Sequence, residues 1–232
     1  MSNTVGDRIE EKGFYFLTSS RLRWEPAACG PGELRRLYVD PGDRIEARLV
    51  RFPAGAVTGG APEVLGQEVY VVSGEFEVNG ERLREGDFHR TVGAAVDGRT
   101  ETGCILFTLR ESAPWAGTGD APDVGSVCGA DTIRMLERRW TDTGPGMRYK
   151  RLMRDPAHHI EITLVQLDPG AAYPGHRYVG AEEIFILRGD CLCEGRKLGY
   201  GDYHRSVEGA VHRPAATEGG CEFILVRHGM PD

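Results

Sequence analysis

No stretch of the 232 residues approaches the ~20 consecutive apolar residues that a membrane-spanning helix needs, so the sequence offers no helical span. It has no basic surplus either: 28 lysines and arginines face 35 acidic residues, for a net charge of −7. A surface without excess cations does not neutralise a phosphate backbone, and nucleic acid is not an expected partner. The first twenty residues place Asp7, Glu10 and Glu11 where a secretory leader would need a basic end and an apolar run. The expected compartment is the cytoplasm. The six cysteines include one Cys-x-Cys, Cys191 and Cys193, and no second pair, which is a weak zinc signal. They alternate with Leu192 in a strand-like run and so point the same way, a poor arrangement for bonding each other. Reduced thiols are expected, with a soft-metal role as the alternative.

What the chain has in quantity is punctuation. Its 32 glycines and 13 prolines are spread between short apolar runs, with no long helical pattern, as in a chain of strands joined by tight turns. An all-β fold follows.

The chain also aligns with itself. Ile45-Glu46 recurs as Ile160-Glu161, Gly55 as Gly170, Gly74 as Gly189, and Gly86-Asp87-Phe88-His89-Arg90 as Gly201-Asp202-Tyr203-His204-Arg205, all at an offset of 115 (160 − 45). Asp40-Pro41 and Asp155-Pro156 keep the same offset, whereas Gly103-Cys104 meets Gly220-Cys221 at 117 (220 − 103), a small loop difference. A repeat of this length is a domain with its own core rather than a solenoid unit. The expected division is an N-terminal extension over 1–23, a first domain over 24–110, a linker over 111–139 rich in Gly, Pro, Ala and Asp, and a second domain over 140–232. In each copy a strand is expected to break at a glycine, Ser73-Gly74 or Arg188-Gly189, and to resume before a turn, Asn79-Gly80 or Glu194-Gly195. Strands of 4–8 residues at close spacing suggest a closed or sandwiched antiparallel barrel.

The copies differ in chemistry. The second presents His176, Tyr178, Glu182 and His212. Two imidazoles and one carboxylate form a ligand set that leaves positions open on a divalent ion, as in the facial triad of non-haem iron(II) enzymes. The first copy has Ala61, Glu63, Gln67 and Asp97 at the matching places, a poor ligand set, and reads as structural. His204 and His89 share one strand position. Because the first copy keeps this histidine without the ligands, a hydrogen-bonding role in the strand is expected, with ligation as the alternative. His158-His159 follows Asp155-Pro156 and reads as a solvated turn.

The spacing His176-x-Tyr178-x3-Glu182-x6-Gly189, followed by Gly201-Asp202-x6-Gly209-x2-His212, resembles the two motifs of the cupin superfamily. The longer pattern of Trp, an Asp-Pro turn, Pro-Gly, Gly-Asp-Tyr-His and Gly-Cys is similar to the branch that includes the cupin domain of ChrR-type anti-sigma factors. The resemblance spans about 24–228. It implies two tandem jelly-roll (double-stranded β-helix) barrels, a bicupin, with a metal in the mouth of the second, held by His176, Glu182 and His212. Cupins usually place a histidine ligand where this chain has Tyr178. That phenol is a metal ligand, an acid or base toward substrate, or a wall residue.

The implied cofactor is one divalent metal per chain, iron(II) first, with zinc, nickel or manganese as alternatives. The implied activity is dioxygenase-type chemistry on a small organic substrate, or isomerisation, elimination or hydrolysis by Lewis-acid action. A ChrR-like metal-binding sensor is the alternative; residues 1–23 are too short for the separate helical, zinc-binding domain that the family places in front, and contain no Cys or His. Expected partners are a small-molecule substrate and a second copy in a homodimer covering an edge strand.

Overall fold

The computed structural model describes residues 3–5, 8–27, 30–39, 45–59, 68–92, 97–111, 129–134, 137–156 and 159–229. Ala61, Glu63, Gln67, Asp40-Pro41, His158 and most of the expected linker lie outside them. Among the described residues the only helical element is one 3₁₀ turn, Ser19–Arg21, and every strand pairing is antiparallel.

Local backbone chemistry sets up the same hairpin twice. Asn79-Gly80 (φ 48° and 82°) joins Glu68–Val78 to Glu81–Arg84, and Glu194-Gly195 (φ 49° and 80°) joins Glu182–Cys193 to Arg196–Gly199. Positive φ at both central residues gives the turn whose twist matches that of the flanking strands. The strand breaks expected at Gly74 and Gly189 are not breaks. Glu68–Val78 and Glu182–Cys193 run through them, with a shift of register against the neighbouring strand. At these two positions φ is 81° and 69°, and a Cβ would lie 2.2 Å from the carbonyl oxygen of Gly103 or 2.0 Å from that of Gly220. Only glycine lets the strand bend there without losing its partner.

The chain divides into two units, one of residues Arg23–Arg138 and one of Met1–Leu22 with Arg139–Asp232. The boundaries expected from the repeat are thereby redrawn. Phe14–Leu17, within the expected N-terminal extension, pairs with Tyr203–Ser206 of the second repeat, setting Phe16 opposite His204. Gly129–Ile133, within the expected linker, pairs with Phe88–Val92 of the first repeat, setting Thr132 opposite His89. Each barrel therefore takes one strand from outside its expected repeat. The physical reason is plain in the segment Phe14-Tyr15-Phe16-Leu17, which buries Phe16 and Leu17 against a strand that would otherwise present an open edge.

Each unit has its own apolar interior. In the first, Phe52 and Phe76 stack at 5.6 Å among Leu34, Val50, Val71 and Leu106. In the second, Phe16 packs with Val165, Ile186, Phe223 and Leu225, and with Cys191, Cys193 and Cys221. The Cys191 and Cys193 sulfurs lie on the same side, 3.5 Å apart and unbonded.

Both barrels also carry one buried cross-strand ion pair at matching positions, Glu68 with Arg90 and Glu183 with Arg205. In the second barrel Glu183 further accepts a hydrogen bond from the Tyr203 hydroxyl (2.6 Å) and lies 2.7 Å from His228 Nε2. Burial pushes this carboxyl up, but the Arg205 charge and the hydrogen bonds of His228 and Tyr203 outweigh it and hold it at about 2.

Two predictions follow from this packing. A carboxyl whose folded value lies below its unfolded value of 4.5 contributes stability that is full above pH ~4.5 and is lost as pH falls toward ~2. Urea unfolding of the second barrel should weaken over that interval, and Glu183→Gln should flatten this part of the profile while costing about 3–5 kcal/mol at neutral pH, because it leaves Arg205 buried without its counter-charge. Phe16→Ala should destabilise the second barrel by about 3–5 kcal/mol and leave the unfolding transition of the first in place.

Candidate metal centre

His176 and His212 meet because two short strands meet. His176–Arg177 pairs with Val211–His212, and the two histidines are directly opposite in the ladder. Cross-strand partners project to the same face. Their rings stack at 5.0 Å with an interplanar angle of 12°. The approach is close at Gly175, where a Cβ would fall 2.9 Å from the His212 carbonyl oxygen.

Glu182 begins the long strand Glu182–Cys193 and is only 3% exposed. Its two oxygens have different tasks. Oε2 lies 2.7 Å from His176 Nε2 and 3.2 Å from His212 Nε2, while Oε1 accepts a hydrogen bond of 2.9 Å from Arg227 Nε. The three potential ligand atoms lie within 4.8 Å of one another. Among the described residues this is the only such cluster of histidine, cysteine and carboxylate groups.

The donor set fits a divalent cation. His176 Nδ1 lies 3.1 Å from the Pro174 carbonyl oxygen and Nε2 2.7 Å from Glu182 Oε2, and both oxygens accept, so Nδ1 carries one hydrogen and Nε2 shares a second with the carboxylate, the one that a cation would displace. The protonation balance agrees. Burial pushes Glu182 up, but hydrogen bonds from His176 and Arg227 outweigh it and keep the carboxyl below its usual range. His176 is raised by its hydrogen bond to Glu182, whereas burial lowers His212 and keeps it neutral. A proton shared between His176 and a buried carboxylate marks the place where a cation would be held.

A cavity of about 20 Å³ adjoins the cluster, with His204, Cys193 and Phe223 also in its wall. That is room for one atom or one water. A second cavity of about 240 Å³, lined among others by Tyr149, Arg151, Glu161, Thr163 and Arg227, shares Tyr173 and Leu225 with the first. Arg227 ties the two together: besides Glu182 it contacts the Tyr173 hydroxyl and lies 3.5 Å from Glu161.

Tyr178 sits apart from the small cavity. Its hydroxyl is buried without a hydrogen-bond partner, and the Arg227 guanidinium lies 5.7 Å from its ring centroid. Burial, opposed by Arg227 and reinforced by Glu182 and Glu161, pushes the phenol up to about 12, so it is neutral. His204 lines the cavity but is not in the three-residue cluster; its Nδ1 lies 3.0 Å from the Tyr15 carbonyl oxygen. His159 is placed in a turn by a hydrogen bond from its backbone N–H to Pro156, away from the cluster. In the first barrel Asp97 is exposed, its backbone N–H donating to the Asn79 side chain.

Sequence reasoning did not find Arg227, Ser206 or Phe14. Arg227 faces Glu182 across the ladder, a relation visible only once the register is known. The Ser206 hydroxyl accepts from the Glu182 backbone N–H at 3.1 Å and lies 3.2 Å from His212 Nε2. Phe14 meets the His212 ring edge-on at 5.4 Å. The aromatic run Phe14-Tyr15-Phe16 was the one available signal.

Residues 129–231 match the ChrR cupin-like domain. A comparison with curated proteins found no match. Several solved structures share the fold. Protein Ylba from E. coli is 17% identical with a TM-score of 0.73, covering 97% of this chain and 95% of its own. HEPD from Streptomyces albus, solved with 2-hydroxyethylphosphonate and Fe(II) bound, is 12% identical with a TM-score of 0.70, covering 94% and 76%. Oxalate decarboxylase from Lactobacillus farciminis, in a formate complex, is 12% identical with a TM-score of 0.67, covering 97% and 87%. With its two antiparallel barrels and these structural likenesses, the chain has the cupin fold, and its residues 129–231 match the ChrR cupin-like domain.

Proposed function

We propose that the second barrel is a mononuclear metal enzyme acting on a small organic substrate, with iron(II) as the metal and dioxygenase-type chemistry. The observation that carries this reading is the convergence of His176 Nε2, His212 Nε2 and Glu182 Oε2 beside a chamber of about 240 Å³. Iron(II) on two imidazoles and one carboxylate supplies open positions at which dioxygen and a chelating substrate can meet.

The residues of this chain select and hold the substrate. The chamber lies below the usual ~300–1,000 Å³ of drug-sized ligand pockets, which favours a small molecule. Its wall mixes Met147, Val165 and Leu225 with Thr163, Tyr173 and two arginines, a lining suited to a compact enol, diketone or catechol-like molecule. Arg227 fixes Glu182 by Oε1 and leaves Oε2 facing the histidines. Tyr178 lines neither cavity; as a neutral phenol with a free hydroxyl beside Arg227, it would act as an acid on a substrate that extends past that arginine. HEPD, with Fe(II) in the same fold, lends support. The first barrel is structural in this reading. The ChrR match favours a second reading, a metal-dependent sensor.

Metal analysis should find one divalent ion per chain, and two would contradict a single site. His176→Ala and His212→Ala should each lose the ion while circular dichroism shows the barrels intact; full occupancy in either variant refutes the ligand assignment. Arg227→Met should keep the fold and weaken metal affinity about 10–100-fold, as measured by competition with a chelator. Oxygen consumption on a panel of diketones and hydroxyaryl ketones separates the readings. Uptake with iron and not zinc supports the dioxygenase, substrate loss with zinc and no oxygen uptake indicates Lewis-acid chemistry, and turnover with neither metal favours the sensor.

A further inference from the structure

His204 is the one histidine, among the described residues, with a buried ring nitrogen that has no partner. The ring is 1% exposed, stacked on Phe16 at 4.5 Å and edge-on to His212 at 6.3 Å. Because the Tyr15 carbonyl oxygen 3.0 Å from Nδ1 can only accept, Nδ1 carries the hydrogen and Nε2 presents a bare lone pair. That ring forms part of the wall of the small cavity beside His176, Glu182 and His212.

The first barrel is an internal control. His89 occupies the same strand position, and both of its nitrogens are satisfied: Nδ1 lies 2.8 Å from the Thr132 hydroxyl and Nε2 2.9 Å from the Thr91 hydroxyl. The matching residues in the second barrel are Phe16, opposite the histidine, and Ser206, two positions after it. Phenylalanine offers no hydrogen bond. Ser206 is engaged with the Glu182 backbone N–H and His212 Nε2. The same histidine is thus closed in the barrel that lacks the His–Glu–His cluster and open in the barrel that has it. Buried acceptors in folded proteins have donors. A donor can reach this nitrogen through the small cavity that the ring lines, which shares Tyr173 and Leu225 with the larger chamber.

We propose that His204 Nε2 is a substrate-binding acceptor that takes a hydrogen bond from an O–H or N–H group of the ligand held at the metal position. It would therefore favour chelating substrates that retain a proton donor beside the chelating atoms, such as hydroxylated or amide-bearing ones, over chelators that have none. His204 is on this view a ligand-contacting residue and not a fourth metal ligand. The inference rests on the metal reading of the triad.

Zinc-loaded protein tests it with two chelating probes, acetohydroxamate, which keeps an N–H when bound, and acetylacetonate, which has no donor. Calorimetry should show His204→Phe weakening acetohydroxamate about tenfold while acetylacetonate changes less than about twofold and zinc content stays at one per chain. Equal effects on the two probes, or none on either, overturn the proposal, as does loss of zinc from a folded His204→Phe variant, which would make His204 a ligand. Should that variant not fold, ¹⁵N-labelled histidine in the unaltered chain replaces it. Acetohydroxamate and not acetylacetonate should shift the His204 Nε2 resonance, and identical responses to the two count against the proposal. Protein that takes up neither zinc nor iron refutes the metal reading itself, a result distinct from metal-loaded protein whose His204 does not discriminate between the probes.

Discussion

An ionised carboxylate placed where water hardly reaches must be compensated on every side, and Glu182 imposes that demand on the second barrel. Arg227 answers it at Oε1, two imidazoles converge on Oε2, and the Ser206 hydroxyl takes the backbone N–H of the same residue. Each partner comes from a different strand. The registers of Cys221–His228, Tyr203–Ser206 and the short pair at His176 and His212 are therefore tied to one residue. The arrangement holds two nitrogens and an oxygen ready for a cation without rebuilding the site.

The next residue shows how the pleat separates structure from chemistry. Successive side chains of a strand point to opposite faces. Glu183 faces away from the cavity and pairs with Arg205, Tyr203 and His228. The first barrel keeps the equivalent pair, Glu68 with Arg90, although it has an exposed Asp97 where the second has His212. The ion pair common to both barrels belongs to the fold, and the group at Glu182 belongs to the site.

The added edge strands connect the two. Phe14–Leu17 closes the edge beside Tyr203–Ser206 and in doing so brings Phe14 and Phe16 against His212 and His204. Gly129–Ile133 plays the same part in the first barrel, but brings Thr132, whose hydroxyl meets His89. One aromatic-for-hydroxyl difference on an edge strand changes what the histidine beneath it has left to offer.

Much of this was legible in the sequence. The repeat offset and the turn pairs Asn79-Gly80 and Glu194-Gly195 encode two antiparallel barrels, because positive-φ turns and glycine spacing act locally and do not depend on distant partners. Comparing the halves singled out His176, Glu182 and His212, since ligand chemistry is a property of residue type. Three features were decided only by the tertiary structure. The strands at Gly74 and Gly189 bend without breaking, Phe14–Leu17 pairs with the second repeat, and Arg227 stands opposite Glu182. All three depend on register and on which edge a strand finds, and strand pairing joins residues as far apart as 16 and 204 with no periodic signal between them. The chain by itself thus determined the barrels and the residue types of the candidate cluster; the long-range ladder decided which arginine orients the carboxylate and which histidine is left open.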